Sequence, residues 1–301
     1  MKNIISIIIK TICNIAFIKK ALRRTTRNLL HRKTQQKEIQ RILEFISRSI
    51  PVDDIESFYE NYEGLKINIA TKPKEDGHVN GIYWKGYSQY GPETETTLII
   101  SELAKSANIF MDIGANWGYY SLLAARINPN IRIISFEPHP FWCDQLKKNI
   151  DANNFNNIEV VEKAVSNESG KVSFYIDNLH PECSSLQKDA TDFKFVQKES
   201  ADTSEITVSS TTIDKYINDV FGNKKPKIDL IKIDVVMHEG YVLDGCKDTI
   251  REYLPDIIVE IISEKTDKEN FVKILNIIDE FEYNSYWISN KGLIEQQVAK
   301  Q

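Results

Sequence analysis

From residue 93 onward, short apolar runs alternate with stretches whose apolar positions recur at helical spacing. The runs at 109–113, 131–136, 158–161, 228–233 and 256–262 predict short, mostly buried strands. Residues 117–127, 140–153, 239–251 and 267–281 predict helices, with Pro255 breaking the chain. An extra strand is expected at 171–176, after the turn Glu168-Ser169-Gly170, and a last one at 283–288. This alternation predicts an α/β fold with a mostly parallel central sheet covered by helices on both faces. The polar stretch from Asp177 to Glu205 carries neither period and reads as a long loop, of the kind that forms lids or binding loops.

Ahead of this region the pattern changes. Residues 36–61 read as helical, with a break at Pro51, and 64–92 as a small β-rich or irregular region punctuated by Gly77, Gly81, Gly86 and Gly91. The expected organisation is a basic amphipathic segment (1–41), a small accessory region (42–92), a catalytic domain (93–290) and a C-terminal tail (291–301).

Charge sharpens the picture of the first segment. Residues 1–41 hold eleven Lys and Arg against Glu38 alone, a net of +10 in a chain whose total is −5. On a helical wheel Ile4, Ile5, Ile8, Ile9, Ile12, Ile15 and Ala16 share one side, opposite Lys2, Ser6, Lys10 and Asn14. The run is too short and too interrupted to span a bilayer. An apolar stripe followed by a basic run suits a helix lying in the surface of an anionic membrane, here through residues 1–35. The alternative is a helix packed on this protein's own core or on a partner.

Composition excludes little more: 42% apolar and 27% charged residues are ordinary globular usage. Cys13, Cys143, Cys183 and Cys246 form no Cys-x-x-Cys pair and no zinc spacing, and read as reduced thiols of a cytoplasmic protein. No metal site is expected.

The most informative run lies between the first predicted strand of the alternating region and its helix: Asp112-Ile113-Gly114-Ala115-Asn116-Trp117-Gly118-Tyr119-Tyr120-Ser121. Ligands of doubly wound sheets bind at such strand ends. Gly114 and Gly118 allow a tight turn and close backbone approach. The Gly-x-x-x-Gly spacing is neither the pyrophosphate-cradling Gly-x-Gly-x-x-Gly nor a phosphate loop. Twenty-five positions after Asp112, Glu137 closes the next strand, before Pro138. A carboxylate there can accept hydrogen bonds from both hydroxyls of a ribose. A nucleoside without a pyrophosphate, whose cationic end tolerates acids nearby, is S-adenosylmethionine. Taken singly, Asp112 could instead cap a helix and Glu137 could be a solvated strand end.

With these residues on the page, the sequence resembles the FkbM-type family of S-adenosylmethionine-dependent methyltransferases over residues 88–262. The resemblance rests on Tyr90 with Pro92-Glu93, the Asp112–Asn116 loop with Gly118–Ser121, Phe136-Glu137-Pro138, and Ala164-Val165-Ser166. It continues through Ser184-Ser185-Leu186, Val208 leading to Thr212-Ile213-Asp214, Ile231–Val235, Val242-Leu243, and Pro255 leading to Glu260. It implies the class I (Rossmann-like) methyltransferase fold and O-methylation of a hydroxyl on a glycan, glycolipid or small-molecule acceptor. It implies cofactor contacts from Asp112, Gly114, Ala115, Asn116, Gly118, Ser121, Glu137 and Pro138. One departure stands out. Where the family commonly reads Asp-Val-Glu-Gly-x-Glu, this chain has Asp234-Val235-Val236-Met237-His238-Glu239. A carboxylate is lost, and a glycine becomes a bulky side chain.

An alcohol attacking a sulfonium methyl needs a base to take its proton. Asp234, His238 and Glu239 are the candidate catalytic residues at the end of the strand at 228–233, with His180 in the polar loop as a further candidate. Leu230, Lys232 and Asp234 share one strand face. Each has a plainer role open to it: Lys232 in an ion pair, His238 in solvent, Glu239 at a helix N-terminus. The competing functional readings are a cofactor-binding but catalytically weak regulatory or assembly protein, and a nicotinamide oxidoreductase, which the glycine spacing disfavours. The acidic body disfavours a nucleic-acid partner. The expected place of action is the cytoplasm, peripheral at the inner membrane surface.

Overall fold

The computed structural model describes Arg23 and residues 55–73, 77–86, 94–178, 181–188, 202–222, 225–261, 268–289 and 292–295. The apolar segment at 1–17, residues 36–54 of the helix expected at 36–61, Tyr90, Pro92, Glu93 and His180 lie outside these residues. The chain forms two compact units, Met1–Leu98 and Ile99–Gln301.

In the first unit, β1 (Phe58–Tyr62) and β2 (Leu65–Ile69) form an antiparallel hairpin. Glu63 and Gly64, both with positive φ, make the tight turn whose twist suits such a hairpin. Residues 58–61, expected as helix, are therefore strand: Phe58, Glu60 and Tyr62 alternate inward, a period of two. Helix α1 (Gly77–Lys85) follows and buries Val79, Ile82, Tyr83 and Trp84. Arg23 docks within this unit. Its guanidinium lies 4.3 Å from the Tyr83 ring centroid and 5.2 Å from that of Phe58. It donates to the Tyr83 carbonyl at 2.8 Å and pairs with the buried Glu60 carboxylate. Helix α2 (Thr94–Ala104) runs across the boundary between the units.

The second unit is built on a five-stranded parallel sheet in the order β10-β9-β3-β4-β5. The strands are β3 (Ile109–Ile113), β4 (Arg132–Phe136), β5 (Ile158–Val161), β9 (Leu230–Ile233) and β10 (Asp256–Val259). Chain order runs outward from β3 through β4 to β5, then returns to β9 beside β3, so a topological switch falls between β3 and β9. Helices α3 (Tyr119–Ile127), α4 (Pro140–Asn153), α5 (Ile213–Phe221), α6 (Glu239–Asp244), α7 (Lys247–Tyr253) and α8 (Lys268–Glu280) complete the layers. Both sheet faces are packed, as the mostly apolar strands require. Ile109, Met111 and Ile113 join a core with Ile213, Val242, Leu243 and Ile274; Phe110 joins one with Ile100, Tyr120 and Ala124.

A smaller sheet, β6 (Ala164–Val165), β8 (Thr203–Thr211) and β7 (Gly170–Asp177), flanks this unit's core. β7 and β8 pair antiparallel over eight residue pairs, from Gly170 with Ser210 to Asp177 with Thr203. The polar stretch is thus shorter than expected, because strand resumes at Thr203. Its described middle holds a 3₁₀ turn (Pro181–Cys183) and a bridge from Ser185 to Tyr175. The helix expected at 239–251 is two helices. Gly245 interrupts it, where a Cβ would collide with the Ser166 carbonyl. A hairpin of β11 (Tyr286–Ser289) and β12 (Gly292–Glu295) ends the described chain.

Candidate functional site

The parallel register aligns Ser135, Asp112 and Lys232 in one row across β4, β3 and β9. Asp112, at 0% exposure, accepts from the Ser121 hydroxyl of α3 at 2.5 Å through Oδ2. The Ser121 and Ser135 hydroxyl oxygens are 2.8 Å apart. Asp112 Oδ1 has no hydrogen-bond partner and lies 3.8 Å from Lys232 Nζ. Burial pushes the Asp112 carboxyl up from its ordinary range, with Lys232 and Ser121 opposing. Asp112 sits within β3, and Gly118 precedes α3, so Asp112 is not the cap of that helix.

Above this row, the loop from Gly114 to Gly118 turns through three left-handed residues: Gly114 (φ 77°), Asn116 (φ 52°) and Gly118 (φ 98°). Gly114 and Ala115 both donate to the Phe136 carbonyl, at 2.9 and 3.0 Å, tying the loop to the end of β4. A side chain at Gly114 would strike the Asp234 carbonyl, and one at Gly118 would strike Leu146 of α4. Asn149 of α4 donates to the Trp117 carbonyl at 2.8 Å. The loop is therefore packed from below and behind, and glycine is required by sterics as well as by φ.

Glu137 closes β4 at 5% exposure. Its Oε2 accepts the Asn116 N–H and its Oε1 the His139 N–H, each at 2.8 Å. Burial pushes its carboxyl up to about 7, against the pull of those two hydrogen bonds. Each oxygen keeps a second lone pair for a further donor. Pro138 and His139 lead into α4, where His139 Nδ1 caps the helix by accepting the Phe141 N–H at 3.2 Å and Pro140 occupies the first turn. Cys143 donates its thiol to the Glu137 carbonyl at 3.0 Å, and burial lifts that thiol to about 12, so it is unreactive.

On the other side, Lys232 Nζ donates to Asp234 Oδ2 at 2.8 Å, approaches the Gly114 carbonyl at 3.5 Å, and lies 5.0 Å from the Tyr120 ring centroid. Its pKa is raised by Asp234 and Asp112 against the opposing effect of burial. The Asp234 side chain keeps 32% exposure. His238, at 7%, stacks on Tyr241 at 4.6 Å, and burial drops its pKa to about 4. Its ring nitrogens face Ser166 Oγ at 2.9 Å and Gln187 Nε2 at 3.2 Å. The Gln187 side-chain nitrogen can only donate, so His238 Nδ1 accepts and Nε2 carries the proton toward Ser166. Glu239 begins α6, deeply buried. Its Oε1 accepts the Met237 N–H at 3.0 Å and its Oε2 the Asn270 side-chain amide at 2.8 Å.

The structure thus brings Asp112, Gly114, Ala115, Asn116, Ser121, Glu137 and Asp234 to the carboxyl ends of three central strands. Gly118 sits behind the loop, and His238 and Glu239 are held among protein partners. Sequence reasoning missed Gln187, marked Ser166 only through the resemblance and without a role, and left an ion pair open for Lys232, which the structure forms with Asp234 and Asp112. Asp214, part of a sequence landmark, accepts from Asp248 N, Thr249 N and Thr249 Oγ1 at the start of α7, a packing role.

The methyltransferase FkbM domain family matches residues 112–285. The chain belongs to this family. S-adenosylmethionine is the family's cofactor. Over 168 residues the chain is 27% identical to methyltransferase sdnD of Sordaria araneosa, a match covering 50% of this chain and 64% of that protein. It is 26% identical over 176 residues to the 31-O-demethyl-FK506 methyltransferase FkbM of Streptomyces tacrolimicus, covering 52% and 66%. The chain thus spans about two thirds of the length of these relatives. A solved O-methyltransferase from Bacillus cereus, in complex with SAH, aligns at 14% identity and TM-score 0.38, covering 68% of this chain and 79% of that one.

The residues present fit such a cofactor. Asp112 Oδ1 is a buried acceptor without a hydrogen bond, Glu137 has lone pairs to spare, and the loop between them carries glycine where a side chain could not fit. Among the described residues no helix is long and apolar enough to cross a membrane. No group of three or more His, Cys, Asp or Glu there could hold a metal.

Proposed function

We propose that this chain is an S-adenosylmethionine-dependent methyltransferase that methylates a hydroxyl of a glycan or glycolipid-like acceptor. The observation that carries this reading is Glu137, a carboxylate at the end of β4 with spare lone pairs, hydrogen-bonded to the glycine-bearing loop beside the switch point. Glu137 and Pro138 bind the ribose side of the cofactor. The backbone of Gly114, Ala115 and Asn116 lies along its methionine end, backed by Asp112, Ser121 and Gly118. When bound, the cofactor supplies a methyl group on a sulfonium.

On the acceptor side, Asp234 is the residue placed to take the hydroxyl proton. It follows directly on β9, keeps partial exposure, and is paired with Lys232. His238, with both nitrogens engaged, and Glu239, with both oxygens engaged, hold the chain after Asp234 in place. A hydroxyl acceptor accords with the O-demethyl substrate in the name of the Streptomyces relative. A glycan or lipid-linked acceptor accords with the basic amphipathic segment at 1–35, which would bring the protein to the inner face of an anionic membrane.

A second reading, a cofactor-binding protein with little catalysis, draws on the engagement of His238 and Glu239 by protein groups. Calorimetry with S-adenosylhomocysteine, followed by labelled-methyl transfer to a panel of methyl glycosides and glycolipids, decides. Binding with transfer supports the proposal, binding without transfer favours the second reading, and no binding removes both.

A further inference from the structure

The turn after Asp234 has an unusual backbone. Val236 (φ 46°) and Met237 (φ 64°) are both left-handed. A β-branched residue in that region is a genuine outlier. Two such residues in succession persist only where the surroundings over-determine them. Neither valine nor methionine tolerates this region as glycine does.

Two partners impose this turn. The Ser185 hydroxyl, from the segment 181–188, donates to the Val236 carbonyl at 2.6 Å. The Glu239 carboxylate accepts the Met237 N–H at 3.0 Å. Ser185 is itself fixed, because its backbone exchanges hydrogen bonds with Tyr175 of β7, at 2.8 and 3.0 Å. Two residues on, Gln187 donates to His238 Nδ1 at 3.2 Å, and its backbone N–H bonds back to Ser185 Oγ at 3.0 Å. On the opposite side of the same turn the Asp234 carbonyl packs against Gly114. The chain from Asp234 to His238 is therefore wedged between the cofactor loop and the segment 181–188.

We propose that Ser185 and Gln187 are positioning residues of the methyl-transfer site. They hold the strained turn so that Asp234 faces the acceptor in fixed relation to the Gly114 loop. The proposal rests on the methyltransferase reading above and deepens it. Neither residue is assigned a contact with the cofactor, so their loss acts on transfer and spares cofactor affinity.

The test uses the full chain carrying Ser185→Ala, Ser185→Thr or Gln187→Ala. Labelled-methyl transfer from S-adenosylmethionine to methyl glycosides should fall about tenfold or more in Ser185→Ala and Gln187→Ala, in line with one lost hydrogen bond to a strained element. The dissociation constant for S-adenosylhomocysteine should stay within about twofold, and Ser185→Thr, which keeps the hydroxyl, should restore transfer. Parallel loss of affinity and transfer, or unchanged transfer, overturns the proposal. Amide exchange gives a reading that needs no acceptor. The Met237 N–H should exchange about tenfold faster in Ser185→Ala and recover in Ser185→Thr, whereas an unchanged rate overturns the proposal. If the wild-type chain fails to bind S-adenosylhomocysteine, the methyltransferase reading falls, and the exchange result still decides whether Ser185 governs the turn.

Discussion

Asp112 and Lys232 stand opposite one another on adjacent parallel strands, with Lys232 Nζ 3.8 Å from the one Asp112 oxygen that lacks a hydrogen bond. Both are buried. Lys232 also reaches Asp234, so one ammonium serves the carboxylate beneath the glycine loop and the one that follows β9. Removing one member of a buried pair costs about 3–5 kcal/mol, because the other charge is left uncompensated. Lys232→Met should therefore destabilise the protein by roughly that much. Asp112→Asn in the same chain should recover part of the loss. Denaturant unfolding of the two single variants and the double variant measures the coupling, and strict additivity would show that the pair does not interact.

Glu137 gives a pH prediction. Its carboxyl titrates near 7 in the folded chain, above its ordinary 4.5, because burial penalises the charge. A raised acid makes the folded state hold a proton that the unfolded state has released. This contribution to stability therefore declines as pH rises from 4.5 through 7. Ligand binding runs the other way. Ribose hydroxyls donate best to the ionised form, so affinity for S-adenosylhomocysteine should rise between pH 6 and pH 8. In Glu137→Gln the affinity should fall and this pH-dependent rise should be lost. Calorimetry at the two pH values reads both effects.

The central sheet was legible because its strands are apolar on both faces. β3, β5 and α4 fall at the residues that the apolar runs and the helical spacing mark. β8 was hidden because its sequence, Thr203–Thr211, is largely polar and lies in a flanking sheet, where pairing with β7 supplies what hydrophobicity does not. Thr212 was noticed as a landmark, yet its physical role is to cap α5 by accepting the Lys215 N–H. In the site, the glycine loop and Glu137 could be found because turn chemistry is local. Ser166 was marked by the resemblance alone, without a role, and Gln187 not at all. They reach His238 from 72 and 51 residues away, and no local pattern encodes such a meeting.

Gly114 tests the loop directly. Its left-handed φ strains any other L-residue by about 1–2 kcal/mol, and a Cβ there would collide with a backbone carbonyl that cannot swing aside. Gly114→Ala should lower Tm markedly and abolish S-adenosylhomocysteine binding. Gly64→Ala carries a similar left-handed strain in the first unit but meets no atom within 4 Å. It should cost only about 1–2 kcal/mol and leave binding intact. Equal effects of the two substitutions on binding would mean that the Gly114 loop does not form the cofactor cradle.

Arg23 bears on how the basic N-terminal segment should be probed. Its guanidinium, stacked against Tyr83 and Phe58, neutralises Glu60, which is almost wholly buried. Arg23→Ala should destabilise the first unit by about 3 kcal/mol, because buried Glu60 loses this ion pair. Glu60→Gln in the Arg23→Ala background should offset part of that loss. It follows that removing residues 1–35 would confound membrane contact with unfolding, whereas removing 1–20 keeps the pair. Co-sedimentation with vesicles containing anionic lipid then gives a clean reading. The full chain should sediment with the vesicles, less so at high salt because the attraction is screened. The chain lacking residues 1–20 should stay in the supernatant with its melting transition unchanged. Equal sedimentation of the two would show that the apolar stripe at 1–17 does not bind lipid, leaving it to pack on this protein's own core or on a partner.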